Sequence, residues 1–315
     1  MKKTILFLIL ALFLIAGYTK CTLTQRPKTI DIYQGTDGIV MEFLKGAPPD
    51  KIPENSEFQI ISTIENRGAS DVSKGYLTIT LEKDYIKLFN WVLEEPIVSS
   101  GIDDENVMFE LDGKSEYSPQ GERGIIKLLA RTKEIKSLIE SHTNNIGLTA
   151  CYKYETISNP TVCLDTDIYN LRVGEKSCEV KDVILSSQGA PVAVTKIEQS
   201  MLVHDDKIEP QFLIYIANKG NGQIIDKDKI DEACSEKGGY NLSVVNVEAY
   251  LSGKKLDCIP NPVKLTKTRN FARCSAYKDD WIEKDSIGYE TLLKINLTYG
   301  YTSTISKNIR IEKQY

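Results

Sequence analysis

Chemistry in a protein needs side chains that titrate, ligate or attack, and in this 315-residue chain the most informative of them are the cysteines. Cys21 stands alone near the N-terminus; Cys151, Cys163, Cys178, Cys234, Cys258 and Cys274 follow from the middle of the chain onward. No two are spaced as CxxC, so the pattern offers neither a zinc site nor a dithiol redox motif. An even set of six indicates structural disulfides formed in an oxidising compartment. Leu148, Ala150, Tyr152 and Tyr154 alternate with Thr149, Cys151, Lys153 and Glu155 as a half-buried strand, and Ser158, Asn159 and Pro160 supply turn residues. A hairpin folded about Ile157 would set Cys151 opposite Cys163, within disulfide reach. The other four cysteines allow three connectivities. The loop at Asn261 and Pro262 favours Cys258 with Cys274, which leaves Cys178 with Cys234 by elimination.

The remaining reactive side chains are sparse. There are two histidines, His142 and His204, and no HExxH, Gly-x-Ser-x-Gly or phosphate-binding glycine loop accompanies them. Each is read as a solvated residue rather than a base. Asp226, Asp228, Asp231 and Glu232 crowd four carboxylates together as a hard cation would require, yet Lys229 and Ile230 stand where an EF-hand loop needs its bending glycine, so a solvated acidic loop is expected. Asp103, Asp104 and Glu105 say less. No catalytic, cofactor-binding or metal-ligating residue is assigned, and no cofactor is expected. Hydrolysis by two carboxylates distant in sequence leaves no local signature, so a secreted hydrolase, or its carbohydrate-binding accessory, is the alternative. Solvent-facing Trp91 and Trp281 would favour it, because sugar platforms need exposed aromatic rings.

The N-terminus sets the compartment in which this chemistry takes place. Lys2 and Lys3 precede an unbroken apolar run from Ile5 to Ala16, within the ~7–15 residues of a signal core and short of the ~17–25 that span a bilayer. Residues 1–21 therefore read as a signal peptide or membrane anchor, followed by a polar leader over 22–35. Cys21 sits where a lipoprotein carries its lipid, although Lys20 and Tyr18 depart from a lipobox. Outside the membrane, Asn241-Leu242-Ser243 and Asn296-Leu297-Thr298 are glycosylation sequons, and a core-facing Leu297 would turn Asn296 outward. Removing Lys2, Lys3 and Lys20 takes the formal charge from −5 to −8, a mildly acidic, mixed surface that argues against nucleic acid as a partner.

The elements that must carry these residues are strands, and they occur twice. Ile60 to Gly68, ending Asn66-Arg67-Gly68, is answered 152 residues later by Phe212 to Gly220, ending Asn218-Lys219-Gly220. Tyr152, Tyr154 and Thr156 return after 147 residues as Tyr299, Tyr301 and Ser303. Two landmarks recurring at nearly one separation indicate a duplicated domain. Period-two runs predict strands at Ile39–Leu44, around Phe58–Ile64, Leu77–Leu81, Val107–Leu111, Phe212–Ile216, Val245–Leu251 and Leu293–Tyr299, with a last one through Ile305, Ile309 and Ile311. Ile135, Leu138 and Ile139 predict one or two helical turns, and the Tyr-x-Tyr elements are expected in corresponding final hairpins. The fold class is all-β: two tandem antiparallel β-sandwiches over 36–168 and 181–315, joined by a linker at 169–180.

The phrase from Phe58 to Gly68 with its echo at Phe212 to Gly220 resembles the strand and Asn-x-Gly turn of CARDB-type, immunoglobulin-like modules of archaeal surface proteins. The stretch Gln188 to Thr195, and the ending Tyr299-Gly300-Tyr301 with Ile305-Ser306-Lys307, are similar to S-layer-like two-domain exported proteins. That resemblance covers roughly residues 36 to 315. It implies a cell-envelope role in adhesion or assembly, with an extracellular protein or glycan as partner, and it carries over no catalytic residue. A third reading is an extracellular filament subunit assembled by strand donation.

Overall fold

In the computed structural model, residues 31–94, 97–100, 106–136, 139–234, 243–266 and 270–314 are described. The proximal half supplies β1 (Ile39–Phe43), β2 (Lys51–Pro53), β3 (Glu57–Asn66), β4 (Val72–Thr80), β5 (Ile86–Leu93), β6 (Val98–Ser100), β7 (Asn106–Leu111), β8 (Arg123–Thr132), β9 (Ser141–Ser158) and β10 (Thr161–Leu164). Then come β11 (Val183–Ile184), β12 (Val192–His204), β13 (Lys207–Asn218), β14 (Gln223–Ile225) and a single helical turn, α1 (Ile230–Ala233). The chain ends with β15 (Val244–Leu251), β16 (Lys254–Lys255), β17 (Asp257–Ile259), β18 (Val263–Lys264), β19 (Phe271–Ser275), β20 (Ile282–Glu283) and β21 (Tyr289–Glu312). Among the described residues no helix is long and apolar enough to cross a membrane.

Alternation builds the layers as expected. Phe58, Ile60, Ser62 and Ile64 of β3 are buried, as are Ile126, Leu128 and Ala130 of β8 and Val107, Phe109 and Leu111 of β7, each strand turning every second residue inward. Fully burying one such large apolar side chain contributes roughly 1.5–3 kcal/mol. The proximal sandwich sets the sheet β1-β3-β8-β5 against β9-β4-β7-β6, and the distal one sets β11-β12-β13-β19-β17 against β21-β15-β16. The fold is thus all-β, and nearly every ladder is antiparallel; β2 alongside β21 is parallel.

The two sandwiches share their second sheet. β9 pairs with β21 from Ser141 opposite Glu312 to Ser158 opposite Ile295. After Asn159 and Pro160, β10 resumes against the same strand in the same register, Thr161 opposite Leu292 and Leu164 opposite Tyr289. The Pro160 carbonyl accepts Leu293 N–H at 2.9 Å across the gap. This overturns the expected hairpin: Ser158-Asn159-Pro160 does not reverse the chain, because β21 offers partners straight ahead for Thr161 to Leu164. Gly300 likewise lies inside β21 and turns nothing. The Tyr-x-Tyr elements therefore pair with each other instead of closing separate hairpins, Tyr152 opposite Tyr301 and Tyr154 opposite Tyr299.

Lys153 faces Gly300, and these two residues are themselves equivalents at the 147-residue offset. A pseudo-twofold axis thus runs through that pair. Residues 32–315 form one compact unit as a result. The 169–180 stretch carries no strand. The helical turns expected near Ile135 are not found: 133–136 is irregular, Ile135 is buried, Ile139 is exposed, and Leu138 lies outside the described residues.

Candidate functional site: the tyrosine junction and a disulfide-closed loop

At the pseudo-twofold axis, Tyr152, Tyr154, Tyr299 and Tyr301 form a closed ring of contacts with centroids 5.5 to 6.3 Å apart, all four buried. Each hydroxyl has a backbone or amide partner, as a buried phenol requires. The Tyr152 hydroxyl accepts Ile39 N–H at 3.0 Å, and that of Tyr299 accepts Val192 N–H at 3.3 Å. Tyr154 donates to Asn66 Oδ1 at 3.1 Å, and Tyr301 donates to Asn218 Oδ1 at 3.0 Å. The same Asn oxygens accept Gly68 N–H and Gly220 N–H. The repeated Asn-x-Gly is thereby explained. A Cβ on Gly68 would lie 1.8 Å from the Tyr154 hydroxyl, and one on Gly220 2.5 Å from that of Tyr301. Burial pushes the phenols of Tyr152, Tyr154 and Tyr299 well above their ordinary value, so at neutral pH they act as neutral structural donors and acceptors.

Three disulfides surround this junction. Cys258 is bonded to Cys274, its direct cross-strand neighbour between β17 and β19. The other two pairings differ from expectation. Cys151 is bonded to Cys234, just past α1, and Cys163 to Cys178. The cause is the straight ribbon: Cys151 and Cys163 lie twelve residues apart along one line, roughly 40 Å at strand rise, and Cys163 faces Glu290 instead. Cys151 points to the outer face of its sheet, where β14, paired to β21, delivers the α1 turn. A sequence separation of 83 gives the Cys151–Cys234 link a chain-entropy contribution of roughly 4.5 kcal/mol, against roughly 3 for the separation of 15 between Cys163 and Cys178. Three disulfides in one such unit are the covalent signature of an oxidising, extracellular environment.

The other candidate residues are dispersed. His142 stacks on Tyr85 at 3.7 Å and meets Glu82 Oε2 at 2.8 Å; His204 stacks on Trp281 at 4.2 Å and meets Glu209 Oε2 at 2.9 Å. Both sit in strands, not loops, and each histidine packs against an aromatic ring beside its carboxylate. Trp91 is buried, and Trp281 is half-buried with its indole N–H donated to the Ala276 carbonyl. Neither presents a free sugar platform. In the acidic segment, Asp226 Oδ1 accepts Asp228 N–H, Asp228 pairs with Lys227, and Glu232 with Lys229. No three metal-ligating side chains converge among the described residues. Asn296 lies mid-strand in β21 between β9 and β15, half-buried, while Leu297 faces the core. Cys21, Asn241 and the Asp103, Asp104 and Glu105 group lie outside the described residues.

The loop closed by Cys163–Cys178 was not singled out by its sequence, and it is the most unusual surface. Tyr169 is 65% exposed, Leu171 79% and Val173 fully so, and the neighbouring Ile287 is 81% exposed. Polar contacts hold this apolar display rigid. The Asp167 carboxylate accepts Leu171 and Arg172 N–H groups at 2.8 and 3.1 Å, and these hold its carboxyl below the usual range. The Arg172 guanidinium donates to the Ser286 and Lys284 carbonyls, Thr166 Oγ1 to the Ser286 carbonyl, and Lys176 pairs with Asp165 at 2.6 Å. The sequence signal was large apolar residues at the alternate positions Tyr169, Leu171 and Val173, beside Ile168, in a mostly polar stretch.

Among solved structures, the chain is similar in part to the type I cohesin–dockerin complex Coh-OlpC-Doc435 of Clostridium thermocellum, at 13% identity over 38% of this chain and 84% of that one, with a TM-score of 0.27. It is similar over 82% of its length to the pilus backbone protein RrgB of Streptococcus pneumoniae, at 8% identity and a TM-score of 0.24, spanning 49% of that chain. No protein-family model and no curated protein matches the chain. With likenesses this distant, the fold rests on the strand ladders themselves.

Proposed function

We propose that this chain is a non-enzymatic cell-envelope protein, exported and held at the outer face of the membrane by its N-terminal segment or a lipid on Cys21. Its fused sandwiches present the Cys163–Cys178 loop to another extracellular protein or glycan, in adhesion or surface assembly. The observation that carries this reading is that loop. A protein does not spend a disulfide, an arginine clamp and an Asp-centred turn to hold Tyr169, Leu171 and Val173 in water unless something covers them, since ordered apolar anchors are what make interface hot spots. The shared β9–β21 ribbon supports the same reading, because it fixes the loop relative to both halves and lets the unit transmit force without a hinge.

The test is cross-linking on intact cells with identification of the neighbour, run in parallel on the wild type and on Leu171→Asp/Val173→Asp. Both side chains are exposed, so the fold and the three disulfides are retained. A neighbour captured by the wild type and lost in the variant is the expected result. An unchanged cross-linking pattern would remove the loop from the contact and the reading with it.

A further inference from the structure

Among the described residues, the proximal sandwich is open on one side. β4 pairs with β7 only as far as Thr78 opposite Asn106, and on the facing sheet β5 is an edge strand. Between them lies a cavity of about 570 Å3, a size typical of small-molecule sites. Its floor is the end of the core itself, the buried Ile79 and Ile86 with the half-buried Leu88. A bulge in β5 between Leu88 and Asn90 breaks the strand alternation and sends Phe89, 46% exposed, to the cavity wall.

The charge on the rim is one-sided. Lys83, Lys87 and Lys133 line the cavity, and among the described residues no Asp or Glu does. Of the acidic residues adjacent to these lysines along the chain, Glu82, Asp84 and Glu134, none lines the cavity, and Glu82 is engaged by His142. Lys87 lies over the Phe89 ring at 5.5 Å, and Lys133 donates to the Lys83 carbonyl at 2.6 Å; among the described residues neither has a carboxylate partner. Threonine hydroxyls at Thr78 and Thr80 add donors beside them. A cleft with an apolar floor and cationic, hydroxyl-bearing walls matches an elongated apolar molecule with an anionic end: the tail lies on Ile79, Ile86 and Leu88 and the head takes Lys87 and Lys133.

We propose that the cleft between β4 and β5 binds an anionic amphiphile, a long acyl chain ending in a carboxylate or phosphate. This does not depend on the adhesive reading above. The experiment uses the full chain and a diazirine-bearing sixteen-carbon fatty acid, with labelled peptides located by mass spectrometry. Label is expected on peptides covering 78–89, competed by excess unlabelled fatty acid and not by its methyl ester. Lys87→Glu/Lys133→Glu should lower that label by about tenfold or more, since loss of even one charge-assisted contact is worth on the order of one decade. Phe89→Asp, at an exposed site, should lower it as well. A parallel arm with a diazirine-bearing phosphatidic acid distinguishes a free fatty acid from a membrane lipid as the source. Label confined to the N-terminal apolar run, equal competition by the ester, or insensitivity to the lysine pair would each overturn the proposal.

Discussion

Asn66 and Asn218 occupy equivalent places in the two copies, yet removing them should have very different costs. The Asn66 side chain is fully buried and makes four hydrogen bonds: Nδ2 donates to the Ser70 and Leu111 carbonyls at 2.9 and 3.1 Å, and Oδ1 accepts Gly68 N–H and the Tyr154 hydroxyl at 3.2 and 3.1 Å. Asn218 makes three, to the Gly222 carbonyl at 2.8 Å and from Gly220 N–H and Tyr301 at 3.2 and 3.0 Å, but it is exposed. Truncating a buried hub strands each partner without solvent, at roughly 1 kcal/mol or more apiece, whereas water replaces an exposed one. Asn66→Ala should therefore cost about 4 kcal/mol and Asn218→Ala about 1. Urea unfolding followed by circular dichroism, with disulfides intact, measures both. Because β9 and β21 fuse the halves, each variant should unfold in one transition with an unchanged slope. Equal losses, or a larger one for Asn218→Ala, would refute the argument that burial and not the motif sets the energy.

Two further expectations come from the buried polar groups. The phenols of Tyr152, Tyr154 and Tyr299 are raised in the fold, so they stay neutral while the unfolded chain ionises above pH ~10; the unfolded state then binds fewer protons and stability falls as pH rises. The loss is full-scale only above pH ~10, at roughly 4 kcal/mol per pH unit for the three together, and Tyr152→Phe should make the observed slope shallower by about 1.4 kcal/mol per pH unit in unfolding titrations up to pH ~11.5. Asn144 is fully buried opposite Ile309, and neither its Nδ2 nor its Oδ1 has a hydrogen-bond partner. Asn144→Leu should raise the urea midpoint, by about 1–3 kcal/mol of stability, and a lowered midpoint would show that the site tolerates no change of shape.

What the sequence disclosed was local, and what it concealed was non-local. Alternation placed Phe58 to Ile64 and Phe212 to Ile216 in strands with the correct inward faces, because a two-residue period is imposed by the strand itself. Cys258 with Cys274 was legible for the same reason, the two lying close in sequence on neighbouring strands. Ser158-Asn159-Pro160 carries turn chemistry, and only a distant partner, Tyr289 to Leu292 of β21, decides that the chain runs straight past it. No pattern near Cys151 reports β21, so none could report Cys234. The loop at Tyr169 to Val173 escaped because exposure, not identity, makes those residues unusual.

The duplication also shows where the copies diverge. In the proximal copy β4 runs on beside β9 from Gly75 to Thr80. In the distal copy the chain pairs with β21 through Ile225 and, among the described residues, next at Asn246. That excursion carries α1 and Cys234, which crosses to the other half and bonds Cys151 there. A symmetric pair of sandwiches needs no such strap, since the ribbon and the tyrosine ring already join it. An asymmetric covalent tie across a symmetric junction resists separation of the halves under load, because the ladder would yield bond by bond from either end while the disulfide bridges beside the axis. Ala233 and Cys234 also border the lysine-rimmed cleft, so the insertion that locks the two copies is the same one that shapes the cavity beside β4. The symmetric elements thus account for the scaffold, and both candidate surfaces, the cleft and the Cys163–Cys178 loop, lie where that symmetry is broken.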